Sequence, residues 1–370
     1  MVQEELKYLL ALKEVKGVGD ILARLLIQET GSAQEVFRLS AGKLLKIPKV
    51  SEKIAKEIAG FQSFDWVEKE IIWCEEEGIN ILPFNHLKYP ERLQQCHDAP
   101  LLLFLKGNPD LNPSRIISIV GTRNFTENGQ AITEQIVEAL APLNVTIVSG
   151  LALGIDGIAH KKSIEFHLPT IGVLGHSLDQ IYPRQHKSLA KKMLEKGGWV
   201  SEFSRKSVFD RTNFPMRNRI VAGMSDATIL VESAETGGSM ITAEIAGSYG
   251  REVLAVPGRW TDTTAQGPNL LIKSLKAQIL TKPDDIAEIM GWKIGQQLLL
   301  ENFYDRKSKF QNLEPDELKI ATYLDTNDSV SIDQIHYATE IPMGILSSAL
   351  LSMEFKGILK ALPGKRFQLR

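Results

Sequence analysis

The stretch VSGLALGIDGIAH, residues 148–160, follows a run of β-branched residues and leads into a predicted helix. Its glycines, at 150, 154 and 157, follow the pattern G-x-x-x-G-x-x-G rather than the G-x-G-x-x-G of a dinucleotide-binding turn. Such a turn also needs an acidic, ribose-binding residue about 20 residues further on. The chain there reads His176-Ser177-Leu178-Asp179, a poor match. The stretch therefore predicts a strand, a glycine turn and a helix, without a nucleotide cofactor.

Three residues of this stretch have predicted roles. Gly150 is expected to leave the strand end bare, so that a phosphate or a base can approach the backbone. Asp156 is expected to cap the helix, where a carboxylate accepts hydrogen bonds from free N–H groups. His160 is a single histidine on the helix, and we interpret it as structural rather than catalytic.

Further apolar runs lie on both sides of this strand along the chain. They are separated by helix-like segments, and they read RIISIVG, VTIVSG, TIGVLG, WVSEF, ATILVES, EVLAVPG and QIL. Continuous apolar strands that alternate with helices predict a parallel sheet covered on both faces. Residues 81–295 are therefore predicted to form an extended Rossmann-like α/β domain, with its ligand site at the carboxyl ends of the strands.

The segment 1–80 shows helical spacing of apolar residues in LKYLLALKEV, ILARLLIQE and KIAKEIAGF. Two short turns, VKGVG at 15–19 and IPKVS at 47–51, predict a helix-hairpin-helix pair. The glycine turn of such a hairpin exposes backbone N–H groups to a DNA phosphate, or it serves only as a tight corner between packed helices. The second turn has Pro48 and Ser51 in place of glycines, so it is a degenerate copy.

The C-terminal part predicts a third domain. Residues 296–312 are mixed and charged without a core pattern, and they are interpreted as a linker. The segment 313–370 then reads as a helix, a helix pair and a short β-pair with a turn at Pro363-Gly364. That order is typical of a winged-helix domain.

The composition excludes several classes of protein. The 370 residues carry a formal net charge of −2, so a site for nucleic acid has to be a local basic patch. The two cysteines, Cys74 and Cys96, are far apart, which excludes a disulfide framework and a thiolate zinc site. The chain shows no apolar run of about 18 residues and no signal-peptide pattern, so we expect a cytoplasmic protein without membrane contact.

Candidate binding residues follow the strands of the predicted sheet. Arg123 comes after IISIV and a glycine turn, where a guanidinium and the N–H groups of a helix start both favour an anion. The turn Thr236-Gly237-Gly238-Ser239 follows ATILVES, and its N–H groups and hydroxyls predict a phosphate cradle. Lys273 follows a further glycine turn in GPNLLIK.

The window 205–219 is the one strongly basic patch that the sequence shows, with five basic residues against one aspartate. Within it, Arg217 and Arg219 are predicted to bind phosphates beside Asn218, and Phe214 to stack on a base. Several phosphate-sized sites along one sheet edge suit a chain of nucleotides better than a mononucleotide.

The ordered motifs closely resemble those of the DprA/Smf family of DNA-processing proteins over residues 115–280. They are IVGTRN, VSGLALGIDGIAH, GVLGHSLDQIYP, VSEF, FPMRNRIVAG, ETGGSMITAEIA, REVLAVPG and GPNLLIK. The resemblance implies a non-enzymatic protein without a cofactor, which binds and protects incoming single-stranded DNA, forms a homodimer and loads the RecA recombinase during natural transformation. It implies DNA contacts at the matched positions, which are Arg123, Gly150, Arg217, Asn218, Arg219, the turn 236–239 and Lys273.

The chain departs from the family pattern at two places. His176 stands where the family has a small residue. The segment 184–187 (RQHK) follows Tyr182-Pro183 where the family has an acidic residue and Asn. The added charge predicts Lys187 as a further phosphate contact, or only a changed surface loop.

A second function stays open at this point. The turn TGGSMITAE resembles the glycine turn of nucleoside monophosphate phosphoribohydrolases, in which Glu244 would be the catalytic acid. The third glycine of that turn is missing, and no general base converges on it. A cofactor-dependent dehydrogenase is disfavoured because the dinucleotide fingerprint fails.

Overall fold

The computed structural model describes residues 2–292, 313–325, 330–362 and 366–369. Residues 1–291 form one compact unit and residues 292–370 a second one. The linker and the Pro363-Gly364 turn expected from the sequence lie outside the described residues. The domain boundaries stay a prediction. None of the described helices is long and apolar enough to cross a bilayer.

The N-terminal helices pack on a shared apolar core that includes Leu10, Leu12 and Leu26. They are α1 (Val2–Glu14), α2 (Asp20–Thr30), α3 (Ala33–Arg38), α4 (Ala41–Leu44), α5 (Glu52–Ala59) and α6 (Phe64–Glu76). The turn between α1 and α2 places Gly17 at a φ of +88°, a conformation that suits glycine. The turn between α4 and α5 instead places Lys49 at a φ of +66°. Both turns of the predicted hairpin pair therefore connect helices, and the degenerate copy is the more strained.

A single sheet dominates the first unit. Its strands are β1 (Ile79–Pro83), β2 (Leu102–Gly107), β3 (Ile116–Val120), β4 (Thr146–Ser149), β5 (Thr170–Leu174), β6 (Gly198–Ser201), β7 (Ala227–Leu230), β8 (Glu252–Ala255) and β9 (Gln278–Ile279). Their order is β1-β2-β6-β5-β4-β3-β7-β8-β9. All neighbouring strands within the stretch β6-β5-β4-β3-β7-β8-β9 pair in parallel. Every residue of β3, β4 and β5 is buried, as expected for strands covered on both faces. The predicted Rossmann-like parallel sheet is confirmed.

The sequence pattern did not predict β1 and β2, which pair antiparallel at one end of the sheet. β2 lies in the run LLLFLKG, and leucine is as common in buried helices as in strands. β1 has five residues and ends at a proline, so its pattern is too short to stand out.

Helices on both sides complete the first unit. They are α7 (Glu91–Gln94), α8 (Glu127–Leu140), α9 (Ile155–Glu165), α10 (Lys187–Met193), α11 (Asn213–Met224), α12 (Gly238–Ser248), α13 (Gln266–Lys273) and α14 (Asp285–Ile289). The strands β4, β5 and β6 follow one another on one side of β3, and β7, β8 and β9 follow on its other side. The strand order therefore reverses at β3. In open α/β sheets, such a switch point opens a crevice at the carboxyl ends of the strands.

The loop from β4 to α9 differs from its expected form. The N-cap of α9 is Gly154, at a φ of +85°, whereas Asp156 lies inside the helix. Asp156 Oδ2 accepts hydrogen bonds from the N–H groups of Gly150 at 3.0 Å and Ala152 at 3.4 Å. The expectation that Asp156 caps α9 is therefore wrong. Its carboxylate stabilises the preceding loop instead.

His160 lies on α9 with none of its surface exposed, and its Nδ1 is 2.6 Å from the hydroxyl oxygen of Thr170. Burial lowers the pKa of His160 to about 3, so the ring is neutral in the folded chain near neutral pH. A buried neutral ring that bonds to β5 supports the structural interpretation made from the sequence.

We expect this histidine to make the fold sensitive to acid. The unfolded ring takes up a proton near its ordinary pKa of about 6.5, whereas the folded ring stays neutral down to a much lower pH. The stability that the neutral His160 contributes is therefore complete above about pH 6.5, and it is lost as the pH falls below that value. Between about pH 7 and about pH 5 the free energy of unfolding should fall by about 2 kcal/mol from this group. Urea unfolding of the parent and of His160→Gln over this range measures it. Equal pH slopes for the two chains would contradict the assignment.

The second unit is a winged-helix domain, as predicted. Its elements are α15 (Pro315–Asp325), β10 (Val330–Ser331), α16 (Ile332–Thr339), α17 (Met343–Phe355), β11 (Leu359–Leu362) and β12 (Arg366–Leu369). The strands pair antiparallel in the order β10-β12-β11. Ser331 and Gln334 form a capping box at the start of α16. The unit has its own apolar core, which includes Ile320, Ile335 and Leu346.

Candidate nucleic-acid interface

A cavity of about 890 Å³ lies at the switch point, where the loops after β3, β4 and β7 meet the start of α11. Eight of the predicted DNA-binding residues line it, and these are Arg123, Gly150, Phe214, Arg217, Asn218, Gly237, Gly238 and Ser239. Lys187, Arg219, Thr236 and Lys273 do not line it. The strand ends thus bring together most of the residues that the sequence predicted separately as DNA contacts.

Arg123 is an exposed cation at the edge of this cavity. Within the described residues its side chain makes no hydrogen bond or ion pair. The loop that carries it is held in place, because Thr122 N–H donates to the carbonyl oxygen of Glu232 at 2.7 Å. The buried Glu232 carboxylate also accepts the N–H of Thr126 at 2.9 Å, at the start of α8. A free guanidinium on a fixed loop is suited to an anionic ligand.

Arg217 lines the cavity but is only 5% exposed. Its Nη1 donates to the carbonyl oxygens of Gly150 and Val173, at the ends of β4 and β5. Burial lowers the pKa of Arg217 to about 10, and the nearby Asp156 carboxylate opposes that change. Burial likewise raises the pKa of Asp156, against the attraction of Arg217. The hydrogen bonds from Arg217 therefore connect the ends of β4 and β5.

Gly150 lines the cavity, but one side of it is closely packed. A Cβ at this position would collide with the guanidinium of Arg217. The protein itself thus fills the side of Gly150 on which a Cβ would lie, and the approach of a phosphate or a base from the cavity stays a prediction.

The basic window 205–219 does not form a continuous basic surface. Arg205 pairs with Glu70 of α6, with Nε to Oε2 at 2.6 Å, and it lies over the ring of Trp73. Lys206 lies over the ring of Trp66, with Nζ 5.2 Å from the ring centroid. Two of the five cations therefore contact the N-terminal helices.

Arg219 is also turned away from the cavity. Its Nη2 donates to the carboxylates of Glu202 and, at 3.1 Å, of Asp20. Lys13 Nζ lies 3.5 Å from Asp20 and 3.8 Å from Glu202. Asp20 is the first residue of α2, directly after the glycine turn of the first hairpin, so this cluster joins the hairpin to the sheet. The structure thus places Arg219 in a buried ion-pair cluster and not with the other candidates.

Arg211 is the remaining cation of the window, and it lines the cavity. It is exposed, and within the described residues its side chain makes no hydrogen bond or ion pair. Its charge contributes to the basic window, but Arg211 is not among the DNA contacts predicted from the sequence. The signal was its position three residues before Phe214.

Aromatic rings form one wall of the cavity. The rings of Tyr182 and Phe209 are 5.3 Å apart between centroids, and each lies 5.8 Å from Phe214. Tyr182 and Phe209 are 44% and 45% exposed. His176 packs beneath them, 5.7 Å from Phe209, which gives the unusual histidine a packing role. Exposed rings beside exposed guanidinium groups can stack on bases while the cations bind phosphates.

Three residues of the predicted phosphate cradle, Gly237, Gly238 and Ser239, also line the cavity, whereas Thr236 does not. Gly237 is the N-cap of α12, and the first N–H groups of a helix have no partner inside it. Ser239 Oγ donates to Ser233 Oγ at 2.9 Å, and Asn218 Nδ2 donates to the Gly238 carbonyl at 3.3 Å. Asn218 therefore ties α11 to this turn.

Three remaining candidates lie elsewhere. Lys187 and Lys273 are exposed, so they could contact only a strand that extends beyond the cavity. Glu244, the acid of the alternative enzyme, lies on α12 with Lys276 Nζ 3.6 Å away. It lines a separate groove beside β8 and β9. The cavity at the strand ends therefore does not contain the proposed catalytic acid.

These features define a class of protein, in which a Rossmann-like domain with a cationic and aromatic crevice precedes a winged-helix domain. A family model described as DNA recombination-mediator protein A matches residues 80–291, and one described as DprA winged helix domain matches residues 307–365. The chain belongs to the DprA/Smf family of DNA-processing proteins.

Individual relatives agree with this assignment. Protein Smf of Escherichia coli is 34% identical over 82% of this chain and 81% of the relative. DNA processing protein DprA of Bacillus subtilis is 41% identical over 58% of this chain and 72% of the relative. The crystal structure of DNA processing protein A from Streptococcus pneumoniae covers 76% of this chain and 97% of that one, at 28% identity and a TM-score of 0.68.

A further solved structure is DNA processing protein A from Helicobacter pylori, which was studied for its single-stranded DNA binding mode. It is 27% identical, with a TM-score of 0.52, and the match covers 57% of this chain and 95% of that one.

Proposed function

We propose that the cavity at the switch point binds single-stranded DNA. The observation that carries the proposal is the pairing of two exposed cations, Arg123 and Arg211, with the exposed rings of Tyr182 and Phe209 in one crevice. Paired bases in a duplex cannot stack on protein rings, so this arrangement favours a single strand. The binding described for the Helicobacter pylori relative supports the same ligand.

The family resemblance extends the proposal to a biological role. We propose that the chain is a non-enzymatic, cytoplasmic recombination mediator that forms a homodimer, protects incoming DNA and loads RecA during natural transformation. The mediator step is measured as RecA assembly on DNA already coated by a single-strand-binding protein, with and without this chain. No acceleration by the chain would contradict it.

Replacing Arg123 with alanine tests the site. We expect the affinity for a labelled single-stranded oligonucleotide to fall by about 1–3 kcal/mol, because one charge-assisted phosphate contact is lost. The slope of log affinity against log salt should also fall by about 1. Fluorescence anisotropy at several salt concentrations, with single- and double-stranded oligonucleotides, measures both quantities.

Lys196→Ala is the matched control, because Lys196 is an exposed cation just before β6, at the opposite edge of the sheet. It should keep the parent's affinity and salt slope. If both variants lost affinity equally, binding would follow the overall charge and not the cavity.

The enzyme alternative has a separate test. Incubation with AMP or CMP followed by chromatography should release no free base. Release that Glu244→Ala abolishes would overturn the non-enzymatic assignment, although Glu244 lies outside the cavity.

A further inference from the structure

The helix α17 is the third helix of the winged-helix domain, and in helix-turn-helix proteins the corresponding helix reads the DNA groove. Here residues 343–353 (MGILSSALLSM) have no charged side chain, and the segment 313–370 has eight acidic and six basic residues. Binding to DNA depends on neutralising phosphates with Lys and Arg. This helix lacks the groups that a DNA-reading helix needs.

One face of α17 nevertheless carries exposed apolar side chains. Leu351 is 54% exposed and Phe355 is 85% exposed. Gly344 and Ser348, which are exposed too, share this face, because the spacing i, i+4, i+7, i+11 places all four on one stripe. The opposite face is buried in the domain core. Large exposed apolar side chains on a helix whose residues 343–353 carry no charge mark a surface for another protein.

We propose that this stripe docks on the same stripe of a second copy of the chain, with the two α17 helices antiparallel. The stripe has small residues, Gly344 and Ser348, toward its N-terminal end and bulky ones, Leu351 and Phe355, toward its C-terminal end. A two-fold antiparallel pairing places Gly344 opposite Phe355, and Ser348 opposite Leu351, in one common register. Each bulky side chain then meets a small one, and the helices can pack closely.

Charge also favours the antiparallel arrangement. Glu354 lies exposed in the last turn of α17, whereas the helix begins after Pro342 without a side-chain cap. Antiparallel pairing brings Glu354 near the positive N-terminal end of the other helix, while parallel pairing would place two Glu354 side chains together. The neighbouring Lys356 is already neutralised, because its Nζ lies 2.7 and 2.9 Å from the Glu317 carboxylate.

The docking is independent of DNA binding in the cavity, so either proposal can fail without the other. It also requires no contact between the first units of the two copies. Its consequence is that copies of the chain associate through their winged-helix domains.

Engineered cysteines in the full chain test the register, since the native Cys74 and Cys96 are buried. In the proposed pair, the two Ser348 positions are about 4.5 Å apart along the helix axis, and the two Gly344 positions about 16 Å. Mild oxidation should therefore cross-link Ser348→Cys to itself, but neither Gly344→Cys nor Phe355→Cys alone. A mixture of Gly344→Cys and Phe355→Cys chains should cross-link.

Adding Leu351→Glu to Ser348→Cys should lower the cross-linked yield about tenfold, because a central apolar contact is replaced by a charge. These are exposed positions, and thermal unfolding of each reduced variant checks that the domain stays folded. Three outcomes would overturn the proposal. Self-cross-linking of Gly344→Cys would indicate parallel helices, and a Ser348→Cys yield no higher than that of the parent chain would indicate no pairing. Protection of Ser348→Cys from alkylation by an oligonucleotide would indicate that DNA binds this face.

Discussion

Replacing Arg217 with methionine should destabilise the folded chain by about 3–5 kcal/mol, because it removes a buried cation that bonds two carbonyl groups and lies near the buried Asp156 carboxylate. Arg217 is 5% exposed, and its guanidinium joins the carbonyl ends of β4 and β5 beside Asp156. Methionine retains part of the apolar stem, but it leaves the Asp156 carboxylate without a counter-charge and two carbonyl groups without a donor. The midpoint and slope of urea unfolding at neutral pH measure the loss.

The double variant Arg217→Met/Asp156→Asn is the matched control. It should recover part of the stability, with a coupling energy of about 0.5–3 kcal/mol between the two sites, because the uncompensated carboxylate is removed as well. An Arg217→Met chain that unfolds at the parent's urea concentration yet no longer binds DNA would contradict the structural role. It would favour the phosphate-binding role predicted from the sequence.

The tripeptide Arg217-Asn218-Arg219 shows why the candidate site could be predicted only in part. The pattern placed these residues on the helix that follows a sheet-edge loop, and Arg217 and Asn218 do line the cavity at the strand ends. Successive residues of a helix differ in direction by about 100°, so the two arginines point to different surroundings. One reaches the ends of β4 and β5, and the other reaches Glu202 and Asp20. Local sequence does not show that acidic partners on distant segments will pair with a basic residue.

The fold could be predicted from the sequence more completely than the site, for a related reason. The strands β3, β4 and β5 are apolar throughout, so burial on both faces can be recognised from each run alone. The aromatic wall needs Tyr182 and Phe209 to meet from separate loops, and no periodicity connects them. The role of Gly150 depends on a side chain 67 residues further along the chain. Properties of one segment were thus predictable, and properties of distant pairs were not.

Replacing Arg219 with methionine is expected to cost a similar 3–5 kcal/mol or so of stability, for a different electrostatic reason. Although burial opposes its charged form, Glu202 and Asp20 raise the pKa of Arg219. Without this cation, the buried Glu202 and the partly buried Asp20 remain with Lys13 as their only nearby counter-charge among the described residues. Their repulsion should loosen the first hairpin from the sheet. Urea unfolding measures the loss, and Lys16→Met, at an exposed position of the same hairpin turn, should change stability by no more than about 0.5 kcal/mol.

The pH dependence identifies the cause of that loss. Burial raises the pKa of Glu202, against the attraction of Lys13 and Arg219, and removal of Arg219 should raise it further. A folded carboxyl group with a raised pKa binds more protons than the unfolded one, so its unfavourable effect shrinks as pH falls toward the unfolded value of about 4.3. The difference between Arg219→Met and the parent should therefore be smaller at about pH 5 than at about pH 7. In Arg219→Met/Glu202→Gln the stability difference from the parent should no longer shrink between about pH 7 and about pH 5, because the group that takes up the proton is gone. If the single variant kept full stability and lost only DNA affinity, Arg219 would belong to the DNA site after all.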